Sequence, residues 1–302
     1  MLDYHRLLLD DQPRTNAFRE ALRRVVRPGD VVVDLGSGSG ILAYFAIEAG
    51  ARKVYAIERG HMADVIALMV RQLGLADRVE VLHETSTKVE LPERGDVLVS
   101  EMLGAFALQE QILSIVLDAR ARLLTPDARL IPSRVRLSAV PVELPADHEL
   151  HVGWWSKPRY GIDFSPLRMF AANQLFTTDV APRDYLAQPA EILDIDLTTI
   201  ADTTVSGSAS FEVTRDGMLH GFGGWFTATL AEDVLLTNLD ASHWRQQSFL
   251  IEHPVPLRRG MRVTLELQSH DGKAWRWHGQ AGNAEFDQTT WLVAPPCIRG
   301  TH

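Results

Sequence analysis

The feature that most constrains the fold of this chain is a short apolar segment that ends in a glycine-rich turn. Val31–Leu35 contains three consecutive valines, and glycines follow at positions 36, 38 and 40. A continuous apolar run of this length is typical of a strand that is buried on both faces of a parallel sheet. Residues 41–49 then show a helical pattern. The segment therefore predicts a strand, a tight turn and a helix, and glycine at the turn lets a small ligand approach the backbone closely.

The next predicted strand ends in a carboxylate. Lys53–Ile57 is followed directly by Glu58, and an acid at this place can accept hydrogen bonds from a ribose diol. The glycine spacing does not match the G-x-G-x-x-G pattern of dinucleotide sites, and the sequence has no G-x-x-x-x-G-K-[ST] loop for a triphosphate. The combination suits an adenosine ligand.

Hydrophobic patterning divides the chain into an α/β half and a β half. Strand-like segments (residues 31–35, 53–57, 79–82, 96–100 and 129–131) alternate with helix-like stretches such as residues 62–73 and 111–124. This alternation predicts an α/β, doubly wound, Rossmann-like domain. After Pro132 the period becomes two, as in residues 135–142, 208–213 and 262–267, which predicts a β-barrel or sandwich. The predicted domains are residues 1–131 and 132–302.

Two glutamates flank an apolar loop that follows another predicted strand. Glu101 and Glu110 lie nine residues apart, directly after the apolar run 97–99. Carboxylates beside so apolar a segment are costly to desolvate unless a cation meets them. A planar guanidinium has several N–H donors that two acceptors can hold at once, whereas an ammonium is a point charge. The spacing indicates an arginine-like substrate; the alternative is a solvated acidic surface with a helix N-terminal charge.

Together these motifs resemble those of the protein arginine N-methyltransferases, in a short bacterial-type form. The glycine turn, with Asp34 two residues before Gly36, is similar to motif I of class I S-adenosylmethionine-dependent methyltransferases. The family's double-glutamate loop commonly opens Ser-Glu-Trp-Met-Gly, and this chain has Ser100-Glu101-Met102-Leu103-Gly104. The family's Thr-His-Trp signature corresponds to Ser242-His243-Trp244. Residues 5–14 are similar to the helix that closes over the cofactor, and the resemblance covers residues 2–283.

The resemblance implies a fold and a cofactor. The fold is a Rossmann-like methyltransferase domain followed by a β-barrel substrate domain with an inserted helical dimerisation arm at residues 154–195, for which the alternative is an Ω-like excursion packed on its own domain. The cofactor is S-adenosyl-L-methionine, and the residues implied to bind it are His5, Arg14, Asp34, Gly36, Gly38, Glu58 and Thr87. Arg14 is implied to meet the methionyl carboxylate and Glu58 to bind the ribose. Thr87 stands where the family often has a glutamate that recognises adenine, and Glu84 is the alternative.

The implied reaction is an in-line displacement, in which a guanidino nitrogen attacks the sulfonium methyl group and S-adenosylhomocysteine leaves. Glu101 and Glu110 are implied to orient the guanidinium and to support the positive charge of the transition state. Complete deprotonation before attack is not expected, because the pKa of a guanidinium is above about 12. His243 is implied to pair with Asp11, with proton relay as the alternative. The residues implied to line the substrate pocket are Trp244 and Met102, where Met102 departs from the family's tryptophan.

Composition and charge exclude several other classes of protein. With 302 residues the chain is long enough for two domains. Cys297 is the single cysteine, so an intrachain disulfide is impossible and a reducing, cytoplasmic location is expected. The formal net charge of -9 argues against a nucleic-acid binder, since phosphate affinity comes from basic patches. No segment resembles a signal peptide or a membrane span, and no metal is expected.

The expected partners are an arginine-containing protein or peptide, or a small guanidino substrate, and a second copy of the chain as a homodimer. Two other functions stay open. An N-methyltransferase of free arginine or another guanidino or amine metabolite is favoured by the few residues that precede His5, where the family usually has another helix that helps to cover the pocket. A catalytically weak regulatory paralogue is the second, and the intact residues Glu58, Glu101 and Glu110 argue against it.

Overall fold

The structure of the chain is a computed structural model that describes residues 2–239 and 243–291. It contains two compact units. The first comprises Met1–Arg136, Asp194–Thr203 and Phe226–Trp244, and the second comprises Leu137–Leu193, Thr204–Trp225 and Arg245–His302. The domain boundary predicted between residues 131 and 132 assigns residues 194–203 and 226–244 to the second domain instead of the first. This boundary stays a prediction. Ser242 of the predicted signature and Cys297 lie outside the described residues.

The first unit begins with two helices, α1 Leu2–Asp10 and α2 Gln12–Val25. Five strands follow: β1 Val31–Leu35, β2 Lys53–Ile57, β3 Val79–Leu82, β4 Gly95–Ser100 and β5 Leu124–Ile131. The helices between them are α3 Ile41–Glu48, α4 Met62–Gln72 and α5 Ile112–Arg122. Short 3-10 turns lie at Ser86–Lys88 and Gly104–Phe106.

The five strands form one parallel sheet of order β3-β2-β1-β4-β5, which confirms the doubly wound prediction. All five residues of β1 are buried, because a central parallel strand is covered on both faces and must be apolar along its length. The chain order reverses at β1, and the carboxyl ends of β1, β2 and β4 meet at one edge of the sheet. In open α/β sheets this edge is where ligands bind.

Strands dominate the rest of the chain. They are β6 Arg134–Val142, β7 Phe176–Thr178, β8 Ala190–Asp196, β9 Thr204–Glu212, β10 Gly217–Ala231, β11 Val234–Thr237, β12 Gln246–Leu257, β13 Arg262–His270, β14 Ala274–Ala281 and β15 Ala284–Thr289. Two helices, α6 Pro145–His151 and α7 Leu167–Ala172, and 3-10 turns at Gly153–Ser156 and Pro182–Asp184 lie among them. None of the helices in the described residues combines the length and the apolar character that crossing a membrane requires.

These strands form two separate sheets. One has the order β15-β14-β13-β9, and the other has the order β7-β12-β10-β6-β8 with β11 beside β10. The sequence predicts a barrel or a sandwich, and within residues 2–239 and 243–291 the strands do not close into a barrel. A period of two requires only that one face of each sheet is buried, so it does not specify closure.

Residues 154–195 form short helical turns and strands instead of one continuous helical arm. In their later part, β7 pairs with β12, and Arg168 donates a hydrogen bond to the carbonyl oxygen of Glu252. This later part therefore packs on the second unit itself. In the earlier part, Trp154, Tyr160 and Ile162 are exposed, and Tyr160 is completely so. The segment thus has an anchored portion and an exposed apolar portion.

Two buried histidines pack against each other in the second unit. His148 of α6 and His220 of β10 are 6% and 7% exposed, and their ring centroids are 5.4 Å apart. Nε2 of His148 lies 3.0 Å from the carbonyl oxygen of Ile251, and Nδ1 of His220 accepts the N–H of Leu144 at 3.2 Å. Burial lowers the pKa of both rings. The folded protein therefore favours the neutral form of each.

We predict that His148 and His220 together destabilise the folded protein as the pH falls from about 7.5 to about 5.5. A free histidine has a pKa of about 6.5, so below that pH these two residues bind more protons in the unfolded chain than in the folded one. The double variant His148→Gln, His220→Asn keeps a donor for Ile251 and an acceptor for Leu144 without a titrating ring. The unfolding temperature of this variant, followed by circular dichroism, should rise relative to that of the wild type as the pH falls over this range. Equal slopes for the two proteins would contradict the prediction.

Candidate active site

The glycine turn after β1 forms the floor of the candidate site in the first unit. Gly36, Gly38 and Gly40 have φ values of 69°, 55° and 78°. Residues with a side chain adopt such values only at a cost in free energy. A Cβ atom on Gly36 would lie 3.0 Å from Sδ of Met102, and one on Gly38 would lie 3.1 Å from Cε1 of His5. The turn therefore lies between α1 and the loop after β4, and it brings His5 and Met102 together as predicted site residues.

Glu58, at the end of β2, is held against the same turn. Its Oε2 accepts the N–H of Gly38 at 3.0 Å, and its Oε1 accepts the N–H of Gly60 at 2.7 Å. An ionised carboxylate has about four acceptor positions, so two remain for the hydroxyl groups of a ribose. The residues present therefore fit the adenosine ligand that the sequence predicts.

Asp34 and Thr87, two other residues predicted to bind the cofactor, differ in their burial. Asp34 is completely buried in β1, and burial raises its pKa to about 7. Thr87 is exposed in the turn Ser86–Lys88. Glu84, the alternative for adenine, accepts the N–H of Thr85 at 2.7 Å. The assignments of Asp34, Thr87 and Glu84 to the cofactor stay predictions.

Arg14 and Glu101 form a buried ion pair. Their side chains are 7% and 8% exposed. Nε of Arg14 donates to Oε2 of Glu101 at 2.9 Å, and Nη2 donates to the same oxygen. Nη1 donates to the carbonyl oxygen of Leu8 at 3.0 Å, which ties the end of α1 to the pair. The structure thus places a guanidinium of the chain itself on one of the two glutamates predicted to hold a guanidinium, while the role of Arg14 toward the cofactor stays a prediction.

Glu110 lies at the other end of the same loop, with its side chain at the surface. Desolvation by the surrounding protein, and next the negative charge of Glu101, raise the pKa of Glu110 to about 7, against the opposing charges of Arg59 and Arg14. A carboxyl group with this pKa gains or loses its proton near neutral pH. It therefore differs from its partner Glu101, whose charge is neutralised by Arg14.

Tyr4 and Arg59 interact electrostatically with Glu110, although no sequence motif predicted either residue. Burial, and then the charges of Glu110 and Glu101, raise the pKa of Tyr4 on α1. Arg59 follows Glu58 directly in the sequence, so its position after β2 was the signal that placed it at the same edge of the sheet. The position of Tyr4 depends on how α1 folds back, which sequence periodicity does not encode.

Asp11 connects the N-terminal helices to the segment that carries His243. Its Oδ1 accepts the N–H of Arg14 at 3.2 Å and caps α2, and its Oδ2 lies 2.7 Å from Nδ1 of His243. Burial alone would raise the pKa of Asp11, but the hydrogen bonds from His243 and Arg14 outweigh it and lower the pKa. The pairing that the resemblance implies is therefore present. Nε2 of His243 is buried and has no hydrogen-bond partner in the described part of the chain.

Trp244 is buried beside this pair. Its ring centroid lies 4.3 Å from that of His243 and 5.2 Å from that of Phe226, which it meets edge to face. The guanidinium carbon of Arg14 lies 5.9 Å from the indole centroid, within the range of a cation–π contact. Trp244 is thus brought next to the Arg14–Glu101 pair, and its role as a wall of the substrate pocket stays a prediction.

Two families match successive parts of the chain. Residues 134–281 match the arginine methyltransferase oligomerization subdomain, and residues 11–135 match the ribosomal protein L11 methyltransferase (PrmA). Among curated proteins, protein arginine N-methyltransferase 2 of Xenopus tropicalis is 30% identical over 296 residues, which cover 92% of this chain and 68% of that protein. Protein arginine N-methyltransferase 6 of Danio rerio is 32% identical over 281 residues, which cover 87% and 80%.

Solved structures show the same fold. Protein arginine methyltransferase 10 of Arabidopsis thaliana, described in a uniquely open conformation, has a TM-score of 0.81 and 26% identity, and the match covers 96% of this chain and 97% of that one. The PRMT1 enzyme–prozyme heterotetrameric complex of Trypanosoma brucei with AdoHcy has a TM-score of 0.86 at 24% identity, with coverage of 96% and 98%. The latter match concerns the fold alone.

We predict that Glu101→Gln lowers the pKa of Glu110. The substitution removes the negative charge that raises this pKa, and it frees Arg14, whose positive charge acts in the same direction. Carbon-13 NMR titration of the side-chain carboxyl group of Glu110, assigned through a Glu110→Gln variant, measures the shift. An unchanged or higher pKa in Glu101→Gln would show that the two carboxyl groups do not interact.

Proposed function

Because this chain belongs to the protein arginine N-methyltransferase family, we propose that it methylates a guanidino nitrogen of arginine in a protein or peptide. The chain is a methyltransferase, and its cofactor is S-adenosyl-L-methionine. The observation that carries the substrate proposal is the loop after β4. In this loop Glu101 binds the guanidinium of Arg14, and Glu110 is near enough for the charge of Glu101 to raise its pKa.

The residues that would hold the cofactor are those around the glycine turn. Gly36 and Gly38 leave room for a close approach to the backbone, Glu58 has acceptor positions left for a ribose diol, and His5 covers the turn. When bound, S-adenosyl-L-methionine supplies a methyl group on a positively charged sulfur. The chain's own contribution is to orient both reactants and to limit their contact with water.

In the proposed reaction, the guanidino nitrogen forms a bond to the methyl carbon while the sulfur–carbon bond breaks and S-adenosylhomocysteine leaves. Glu101 and Glu110 orient the guanidinium and stabilise its positive charge as the bond forms. The methylated nitrogen then carries an excess proton. Glu110 is the better acceptor of the two for that proton, because its pKa is raised and Arg14 does not occupy it.

We predict that Glu110→Gln lowers turnover much more than cofactor affinity, whereas Glu101→Gln lowers both, because it also leaves the buried Arg14 without its partner. Each change keeps the size of the side chain but removes a charge opposite the guanidinium. Loss of a buried charge partner corresponds to about 3–5 kcal/mol, so Glu101→Gln should lower kcat by about a hundredfold or more. The more exposed Glu110 should contribute a loss of about tenfold. Methyl transfer is measured by mass on an arginine-rich peptide and on free arginine in parallel, and cofactor affinity by calorimetry.

A control variant separates the loss of the arginine clamp, formed by Glu101 and Glu110, from general effects of a Glu→Gln substitution. Glu232→Gln changes an exposed glutamate in the turn between β10 and β11 and should leave turnover unchanged. Glu110 makes no hydrogen bond or ion pair among the described residues, so its loss does not act by unfolding. Near-wild-type turnover in both test variants would exclude the arginine clamp. Activity on free arginine alone would assign the chain to small guanidino substrates instead.

The proposal includes a homodimer formed through the arm, residues 154–195, and a cytoplasmic location. The matching oligomerization subdomain and the exposed apolar side chains of Trp154, Tyr160 and Ile162 support the dimer. The location rests on the single cysteine, which is expected in a reducing compartment.

We predict that Ile162→Asp dissociates the dimer. Ile162 is 56% exposed in the described chain, and an aspartate in a buried interface would leave a charge without a partner. Leu235→Asp is the matched control, because Leu235 on β11 is also 56% exposed and lies outside the arm. Multi-angle light scattering at micromolar concentration should give a dimer for the wild type and the control and a monomer for Ile162→Asp. A wild-type monomer with full activity would contradict the proposed role of the arm.

A further inference from the structure

The loop from Glu101 to Gln111 has a backbone that some of its own residues do not favour. Ala107 and Gln111 have φ values of 56° and 64°, in the left-handed region that is unfavourable for residues with a side chain. Such a conformation persists only when surrounding structure holds it in place. The spacing of the two glutamates therefore depends on contacts from outside the loop.

Asn238 provides a contact of this kind within the first unit. The residue is completely buried. Its Nδ2 donates to the carbonyl oxygen of Ala105, in the middle of the loop, at 2.8 Å, and its Oδ1 accepts the N–H of Phe226 on β10 at 2.9 Å. One side-chain amide thus connects the double-glutamate loop to the strand pair β10–β11.

This connection differs in kind from the apolar packing of the same loop. Phe106 and Leu108 are completely buried, but apolar contacts have no preferred direction. A hydrogen bond constrains both distance and angle, and a buried carbonyl group that loses its partner is penalised. The apolar residues therefore keep the loop attached, whereas directional bonds set where Ala105 lies. Its N–H donates to Oε1 of Gln109 within the loop at 2.7 Å, and Asn238 provides the bond from outside the loop.

Asn238 also belongs to the connection that leads to His243. Four residues lie between the two in the sequence, and His243 is held by Asp11 at the start of α2. The connection thus has one attachment to the glutamate loop and another to the N-terminal helices. Movement of Asn238 would be transmitted to the loop that carries Glu101 and Glu110.

We propose that Asn238 is a positioning residue for methyl transfer, which acts through the carbonyl oxygen of Ala105 to set the geometry of Glu101 and Glu110. It does not contact the substrate. The inference rests on the proposed function, since it assumes that the two glutamates orient a guanidinium. Small displacements of such groups reduce the rate strongly, about a hundredfold for an error of about 1 Å.

The test compares two substitutions of Asn238 by steady-state kinetics on an arginine-rich peptide. Asn238→Ala removes both hydrogen bonds and should lower kcat/KM by about tenfold or more, with the affinity for S-adenosyl-L-methionine changed by less than about twofold. Asn238→Asp keeps the acceptor for Phe226 but can donate to Ala105 only when protonated. Its kcat/KM relative to wild type should therefore decrease as the pH rises from about 6 to about 9, while the relative value for Asn238→Ala stays constant.

Thr237→Val is the matched control. Oγ1 of Thr237 donates to the carbonyl oxygen of Phe226 at 2.7 Å and accepts the N–H of Leu239 at 3.2 Å. Valine therefore removes two hydrogen bonds of the same segment, one of them to the same residue of β10, without removing the hydrogen bond between Asn238 and Ala105. Its kcat/KM should stay within about twofold of the wild type. Equal losses in Thr237→Val and Asn238→Ala would overturn the inference, because general support of β11 would then explain both. Wild-type kcat/KM in Asn238→Ala would also overturn it.

Hydrogen–deuterium exchange separates this inference from the proposed function. Exchange in residues 101–111 of the wild-type chain and the variants needs no substrate, and Asn238→Ala should accelerate it where Thr237→Val does not. If the wild type methylates no arginine substrate but shows this exchange pattern, the proposed function fails and the positioning of the loop by Asn238 stands. If exchange in the loop is the same in all three proteins, the positioning inference fails whatever the activity.

Discussion

The arrangement of the candidate site depends on the buried ion pair between Arg14 and Glu101. The two residues are 87 positions apart in the chain, at the start of α2 and at the end of β4, and neither charge is stable in the interior without the other. Because the same guanidinium also binds the carbonyl oxygen of Leu8, the pair holds the end of α1 at the edge of the sheet. From there His5 reaches the glycine turn at Gly38. One interaction therefore joins the N-terminal helices, the cofactor edge and the double-glutamate loop.

This pair also affects the titration of the other glutamate of the loop. Arg14 compensates the charge of Glu101, while burial and then the charge of Glu101 raise the pKa of Glu110 to about 7. A guanidinium that binds beside Glu110 favours its ionised form and lowers its pKa. Substrate binding and the release of a proton from Glu110 are therefore linked.

Local patterns were sufficient to predict the elements that form the edge of the sheet. The bounds of β1 and β2 agree with the predicted ones, because an apolar run between turn residues encodes a buried strand directly. The sequence left a closed barrel and a sandwich of two sheets as alternatives for the β strands, and it did not predict that Arg14 meets Glu101. Both depend on contacts between distant residues, which leave no periodic trace. The same holds for Asn238, whose single amide in a short turn carries no pattern, although its burial and two backbone contacts distinguish it in the structure.

The loops of the site are held in place by the same kind of hydrogen bond. Each is held by a buried or half-buried polar side chain that bonds a backbone group of another segment: Glu58 with Gly38, and Asn238 with Ala105. Backbone groups removed from water must find such partners, so a loop bonded in this way cannot slide without breaking a hydrogen bond. Apolar packing alone would permit small shifts, since its energy changes little with direction. Directional bonds at the strand ends therefore give the loops the rigidity that an in-line methyl transfer requires of its reacting groups.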